Sequence, residues 1–174
     1  GDHRDLHLSL RRQRQMCIRD RITDDYQGRI PLLIGVLKGG VIFTADLARS
    51  VELPVELDFM AVSSYGSSTR NSGVVRIIKD LDNDIEGRDV IIVEDIVDSG
   101  LTLRYLRKTL LARNPASLEF CSLLVREDQQ ADLDDLVKYA GFRIPQVWVV
   151  GYGLDVGQRY RNLEDIWAYN TSPK

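Results

Sequence analysis

Two adjacent acids, Glu94 and Asp95, stand just ahead of a small polar turn, Asp98-Ser99-Gly100, with Thr102 beyond it. The two halves of this stretch suit different ligands. Backbone N–H groups in a turn that opens a helix are unpaired and lie at the positive end of the helix dipole, which suits a phosphate. Ser99 and Thr102 can add hydroxyl donors to the same anion. Gly100 lets the backbone approach closely or take a positive φ. Carboxylates repel phosphate, so Glu94 and Asp95 must serve sugar hydroxyls or a phosphate-bound Mg²⁺. A phosphorylated sugar satisfies both halves at once. The plain alternative is a strand–helix edge with Asp98 as a cap and two solvated acids.

The elements that must hold these residues can be read on either side of them. Val90-Ile91-Ile92-Val93 makes a short buried strand of the parallel-sheet type, ending where the acids begin. Leu103, Leu106 and Leu110 then recur at helical spacing up to Asn114-Pro115, where proline stops the helix. Upstream, Pro31 to Leu37 reads as the first core strand and Lys38-Gly39-Gly40 as a turn suited to an anion. Val41, Ala45 and Ala48 line one face of the helix after it. Strands over Val55–Ser63 and Val74–Lys79 flank Ser64 to Gly73, a stretch with one large apolar side chain. That stretch cannot bury enough surface to fix itself and is expected to be a mobile loop, either a hairpin connection or a lid over substrates. Leu118–Val125 is the next core strand. Asp132 to Ala140 follows as a short helix closed by Gly141. In the run Ile144 to Asp155, Trp148 in a strand is ordinarily a core residue; Tyr152, Leu154, Leu163 and Trp167 read as packing residues.

At 174 residues the chain has the length of one domain with a sizeable core. Its 44% hydrophobic and 28% charged residues are ordinary for a globular protein. A net charge of −3 and a pI near 5.4 argue against nucleic-acid and membrane partners. No apolar run approaches the ~20 residues of a transmembrane helix. Two cysteines, Cys17 and Cys121, suggest no disulfide framework and fit a reducing cytoplasm. Ser9 to Asp20 is basic in an acidic chain and lacks the apolar region of a signal peptide. Its wording resembles translated adapter sequence, so residues 1–20 are expected to be a non-native or disordered segment, and His3 and His7 within it fall in no plausible site.

The run Val90 to Leu103 resembles the phosphoribosyl-pyrophosphate signature of type I phosphoribosyltransferases. Its flanks narrow the resemblance to the hypoxanthine-guanine phosphoribosyltransferase family, over about Tyr26 to Trp167. The resemblance implies an α/β fold: an open, mostly parallel sheet flanked by helices, with a small hood contributed mainly by the C-terminal part, as a single domain over 21–170. It implies transfer of a phosphoribosyl group to hypoxanthine or guanine, with Mg²⁺ as cofactor, in purine salvage. Lys38 and Gly39 match its pyrophosphate contact, which commonly follows a cis peptide. Ser64 and Tyr65 match the start of its catalytic loop. Glu94, Asp95, Asp98, Ser99, Gly100, Leu101 and Thr102 match its sugar-phosphate site, and Arg161 a further pyrophosphate contact.

For the base, the resemblance implies stacking on Trp148, edge recognition at Val149 and a role for Asp155, which with Glu94 and Asp95 would also hold the metal. Asp98 would accept or orient a ring proton of the purine. One position departs from the family: Arg126 stands where a lysine donates to the purine oxo group. Arginine is longer and planar, so a xanthine-preferring relative is the nearest alternative. A pyrimidine-operon RNA-binding regulator of the same fold is a further one, disfavoured by the acidic body, Trp148 and Asp155. Relatives imply a homodimer or homotetramer acting on small molecules in the cytoplasm.

Overall fold

Strands that alternate apolar residues on both faces must be covered on both sides. The computed structural model, which describes residues 16–65, 74–127 and 132–170, covers them in that way. The described part begins with a helix over 16–25 (α1), the strand Leu32–Leu37 (β1), the helix Val41–Ser50 (α2) and a pair of strands, Glu56–Tyr65 (β2) and Val74–Lys79 (β3). Asp89–Val97 (β4), Leu101–Leu111 (α3) and Ser117–Arg126 (β5) follow, then Asp132–Leu136 (α4) and Tyr139–Ile144 (β6). The short strands Val149–Val150 (β7) and Trp167–Ala168 (β8) end the order.

Six strands form one sheet in the order β3-β2-β1-β4-β5-β6, and β7 with β8 form a separate two-stranded sheet near the C-terminal end, the part expected to make the hood. Only β3 runs antiparallel to its neighbour; the other pairings in the large sheet are parallel. From β1 the chain moves to β2 on one side and later to β4 on the other. The crevice beyond the carboxyl ends of β1 and β4 is therefore the switch point at which open α/β sheets bind ligands. The expected open, mostly parallel sheet is the observed one.

Period-two alternation builds the two cores. Leu32, Ile34 and Val36 of β1 join Val90 and Ile92 of β4 in one buried cluster with Leu103, Leu106 and Leu110 of α3 and Leu133 of α4. Leu33, Ile91 and Val93 join the other, with Phe43 and Leu47 of α2 and Ile18 and Ile22 of α1. Residues 16–20 thus belong to a helix with Ile18 in the core, and the boundary expected after residue 20 falls inside it. The rest of that basic segment lies outside the described residues.

Three local expectations differ from the structure. In α2 the buried face is Phe43, Thr44 and Leu47, while Val41 and Ala45 are exposed and Ala48 is half-buried. Phe43 and Leu47 are the larger apolar pair at i and i+4. Thr44 can lie beside them because its hydroxyl donates to Gly40 O at 2.7 Å. The helix expected over Asp132 to Ala140 stops at Leu136, and Tyr139–Ile144 is a parallel strand on β5. Gly141 is a strand residue, not a cap: a Cβ there would lie 2.4 Å from Leu123 O. Finally, Tyr152 and Leu154 are buried as packing residues, but Trp167 is 48% exposed. Among the described residues no helix is long and apolar enough to cross a membrane.

Candidate active site

At the switch point the strand ends open into a cavity of about 490 Å³. Val36 and Leu37 of β1, with Gly39 after them, line one part of it. Glu94 and Asp95 enter from β4, which continues through the acids to Val97 instead of ending before them. Asp98, Ser99, Gly100, Leu101 and Thr102 line it from the turn and the first residues of α3. Asp155 and Arg161 reach it from the segment after β7.

The acids are held by burial. Glu94 is 6% exposed, and burial first, then the charge of Asp95, pushes its carboxyl well above the ordinary carboxylate range. Burial also raises Asp95, against the opposing pull of the Ile96 N–H, which donates to Asp95 Oδ1 at 2.8 Å, and of the Arg161 charge. Such groups regain their charge when a cation or hydroxyl donors meet them. Gly39 makes room for this arrangement: a Cβ on it would sit 1.8 Å from Asp95 Oδ2. Its carbonyl in turn packs on Gly153, at φ +99, where a Cβ would lie 2.2 Å from Gly39 O.

At the end of β1, the strand paired beside that of the acids, the peptide between Leu37 and Lys38 is cis. Lys38 is exposed and its Nζ donates to Gln158 Oε1 at 3.3 Å. Arg161 donates through Nη1 to Gly153 O at 2.7 Å and pairs through Nη2 with Asp155 at 2.9 Å. The Asp155 carboxylate also accepts from the Gln158 N–H at 2.7 Å.

The turn before α3 has the form a phosphate requires. Gly100 takes the left-handed conformation, φ +74, and no side chain caps the helix. The capping role open to Asp98 in the sequence is therefore not the one it takes. Ser99 Oγ accepts from Leu101 N at 3.4 Å, too long to occupy that donor fully. Uncapped N–H groups at the end of a helix suit an anion.

Of the residues expected to meet the base, Asp155 lines the cavity, whereas Arg126, Trp148 and Val149 stand to one side. Arg126, at the end of β5, pairs through Nε with Asp98 Oδ1 at 3.5 Å and donates through Nη1 to Val147 O at 2.7 Å and Pro145 O at 3.3 Å. Trp148, next in the chain, is 64% exposed, so it is no core residue. Val149 pairs with Ala168 in the small sheet. Lys38, Arg126, Trp148 and Val149 are not among the cavity's lining residues; Arg126 connects the base side to it through Asp98. Ser64 and Tyr65 close β2, opposite Val75 and Val74 of β3; the expected lid over 66–73 lies outside the described residues.

Glu94, Asp95 and Asp155 share the cavity without converging: among the described residues no group of three or more His, Cys, Asp or Glu is set to hold a metal ion. Two residues that the sequence did not single out complete the site. Gly153 carries the close approach to Gly39, and its signal was only a glycine in Gly151-Tyr152-Gly153. Gln158 bridges Lys38 and Arg161, and no local pattern pointed to it.

Residues 15–156 match the phosphoribosyl transferase domain family. A hypoxanthine-guanine phosphoribosyltransferase of Mycobacterium avium is 60% identical over 151 residues, covering 83% of this chain and 74% of that protein. One from Bacillus subtilis is 50% identical over 143 residues, covering 82% of this chain and 78% of that protein. The solved structure of a hypoxanthine-guanine phosphoribosyltransferase from Bacillus anthracis, with a HEPES molecule in its active site, matches with a TM-score of 0.86 at 39% identity, over 93% of this chain and 95% of that one. A ternary substrates complex of the hypoxanthine phosphoribosyltransferase of Trypanosoma cruzi matches with a TM-score of 0.84 at 40% identity, over 94% of this chain and 92% of that one.

Proposed function

We propose a function from one premise: the chain belongs to the hypoxanthine-guanine phosphoribosyltransferase family. It is a purine-salvage transferase that moves the 5-phosphoribosyl group from phosphoribosyl pyrophosphate to hypoxanthine or guanine, giving IMP or GMP and pyrophosphate. One observation carries this reading at the level of residues. The buried Glu94 with the half-buried Asp95 and an uncapped helix start face the same cavity, as a sugar that bears a phosphate needs.

In the reaction a purine ring nitrogen displaces pyrophosphate at the anomeric carbon, and charge grows on the leaving group. The turn from Ser99 to Thr102 binds the 5-phosphate with its free N–H groups and hydroxyls, with Gly100 allowing the close approach. Glu94 and Asp95 orient the ribose hydroxyls. Lys38 and Arg161 offset the charge of the departing pyrophosphate, and preorganised charge of this kind carries much of such catalysis. Trp148 stacks on the base, Val149 presents backbone groups to its edge, and Arg126 lies within reach of its oxo side. Asp98, ion-paired with Arg126, holds or accepts the ring proton. Ser64, Tyr65 and the segment after them exclude water.

Mg²⁺ fits this donor set. It demands hard oxygen ligands, keeps several waters and is commonly held by one or two carboxylates together with substrate phosphates. Of Glu94, Asp95 and Asp155, which line the cavity without converging, one or two would hold it together with the substrate's phosphates, and it would draw charge from the departing pyrophosphate. Two free thiols, Cys17 and Cys121, support a cytoplasmic location, and the assembly proposed is a homodimer or homotetramer, read by analytical ultracentrifugation.

The test is initial rate with phosphoribosyl pyrophosphate and Mg²⁺ against hypoxanthine, guanine, xanthine and adenine. Turnover of the first two supports the reading. Turnover of xanthine alone moves the substrate to the base that Arg126 favours. No turnover of any base by folded protein overturns it.

A further inference from the structure

Gln158 stands where two cations meet. Its Oε1 accepts from Lys38 Nζ at 3.3 Å and from Arg161 Nη2 at 3.4 Å, two residues that come from distant parts of the chain. Both contacts are longer than the usual 2.7–3.2 Å of an N–H···O bond, so the amide is a weak partner for either. Its backbone takes φ +66, in the left-handed region that a glutamine rarely adopts. The Gln158 N–H is tied to Asp155 Oδ2, and Asp155 is paired with Arg161. A residue held in an uncommon conformation by members of a site is a candidate for a role in that site. One oxygen shared by two positive groups is also what a phosphate oxygen offers, with a full charge in place of a dipole.

We infer that Gln158 is a neutral placeholder at the diphosphate subsite. Its amide oxygen keeps Lys38 and Arg161 converging until an oxygen of the leaving group takes its place. The neutrality of the side chain then determines how strongly that group binds. The inference rests on the proposed roles of Lys38 and Arg161. It adds a specificity-determining residue that no motif contains.

The experiment is calorimetric titration of the full chain with inorganic pyrophosphate and Mg²⁺, at low and at moderate salt. It compares wild type, Gln158→Glu and Gln158→Met, alongside KM for phosphoribosyl pyrophosphate and for the purine. Glutamate keeps the length and adds a competing charge. A unit charge at ~4 Å in a water-like dielectric gives about a fivefold loss of pyrophosphate affinity. That loss shrinks as salt rises. The KM for phosphoribosyl pyrophosphate rises with it, while the KM for the purine and the melting temperature stay within error. Methionine keeps the length and removes the acceptor. It changes pyrophosphate affinity by no more than about twofold, because the contacts it loses are long. Equal losses in both variants would make the amide a structural support and overturn the inference, as would Gln158→Glu binding like wild type. Wild type that binds no pyrophosphate overturns it too. Wild type that binds pyrophosphate but transfers no purine leaves the placeholder standing and removes the proposed reaction instead.

Discussion

Gly39→Ala tests whether the close packing around the cavity is functional. The added Cβ would sit 1.8 Å from Asp95 Oδ2, and real Cβ contacts below 3.0 Å essentially never occur, so some atom must move by about 1.2 Å or more. The backbone of residue 39 cannot simply withdraw, because its carbonyl already packs on Gly153 with no room for even a Cβ between them. The carboxylate of Asp95 must therefore swing away, giving up the 2.8 Å bond from Ile96 N. A displacement of about 1 Å at a positioned group costs on the order of 10²-fold in rate. The expected result is a fall in kcat/KM for phosphoribosyl pyrophosphate of about 100-fold, which is roughly 2.7 kcal/mol of transition-state stabilisation. Initial rates at saturating purine measure it, with the melting temperature recorded in parallel. Gly87→Ala is the control: φ there is +69, and nothing lies within 4 Å of the added Cβ. It costs roughly 1–2 kcal/mol of stability through its left-handed backbone and leaves kcat/KM unchanged. Gly39→Ala with a wild-type kcat/KM would refute the argument.

Three further outcomes are expected. Asp98→Asn keeps the shape of the side chain and removes its basicity, so kcat falls by ~10²–10⁴-fold while purine binding stays within about threefold; rapid-quench turnover and equilibrium dialysis separate the two. Trp148→Ala removes an exposed ring next to the base-edge strand, so the KM for hypoxanthine rises by roughly tenfold, the lower half of what base–aromatic stacking contributes, and an unchanged KM would place the ring away from the base. Arg113 donates to both oxygens of Asp80 at 2.8 Å, and this bond first of all holds the Asp80 carboxyl below its ordinary value. A lowered folded-state pKa adds stability that is complete above the ordinary carboxylate value of ~3.9 and is lost as pH falls through the lowered one. Urea midpoints of wild type and Asp80→Asn should therefore converge on acidification through that window, and a gap that persists or widens at low pH would contradict it.

Where one local pattern had one structural outcome, the sequence was legible. Val90 to Val93 is apolar at every position and β-branched throughout, which favours a strand covered on both faces, and its residues divide between the two cores as that requires. Leu103, Leu106 and Leu110 fitted a helix and no other element, and all three are buried. The residues from Asp132 to Ala140 were ambiguous, because Leu133, Leu136 and Val137 satisfy a helical period even though the helix ends at Leu136. What makes a strand of Tyr139–Ile144 is tertiary: the edge of β5 offers a parallel partner, and Tyr139, 0% exposed, finds an acceptor in Asp25 Oδ2 at 2.6 Å. The same distinction divides the candidate site. Glu94, Asp95 and the turn to Thr102 are neighbours in sequence and share the cavity. Gln158 matters only because Lys38, 120 residues away in sequence, meets it beside its near neighbour Arg161, which local spacing does not encode.

Arg126 shows how a departure from a family pattern acquires meaning only in three dimensions. As a type it is a longer, planar cation in the place of a lysine. In the fold its guanidinium faces two ways at once. Nη1 takes the carbonyls of Val147 and Pro145, which lead into Trp148 and Val149, while Nε faces the carboxylate of Asp98. The Arg126 side chain is 10% exposed and the Asp98 side chain 69%, and at 3.5 Å the two form an ion pair without a hydrogen bond, Nε itself being buried with no hydrogen-bond partner. An ammonium is a point donor on a flexible stem and has no rigid fork to span both directions. The segment that would grip the base and the acid that would handle its proton are therefore tied to one side chain.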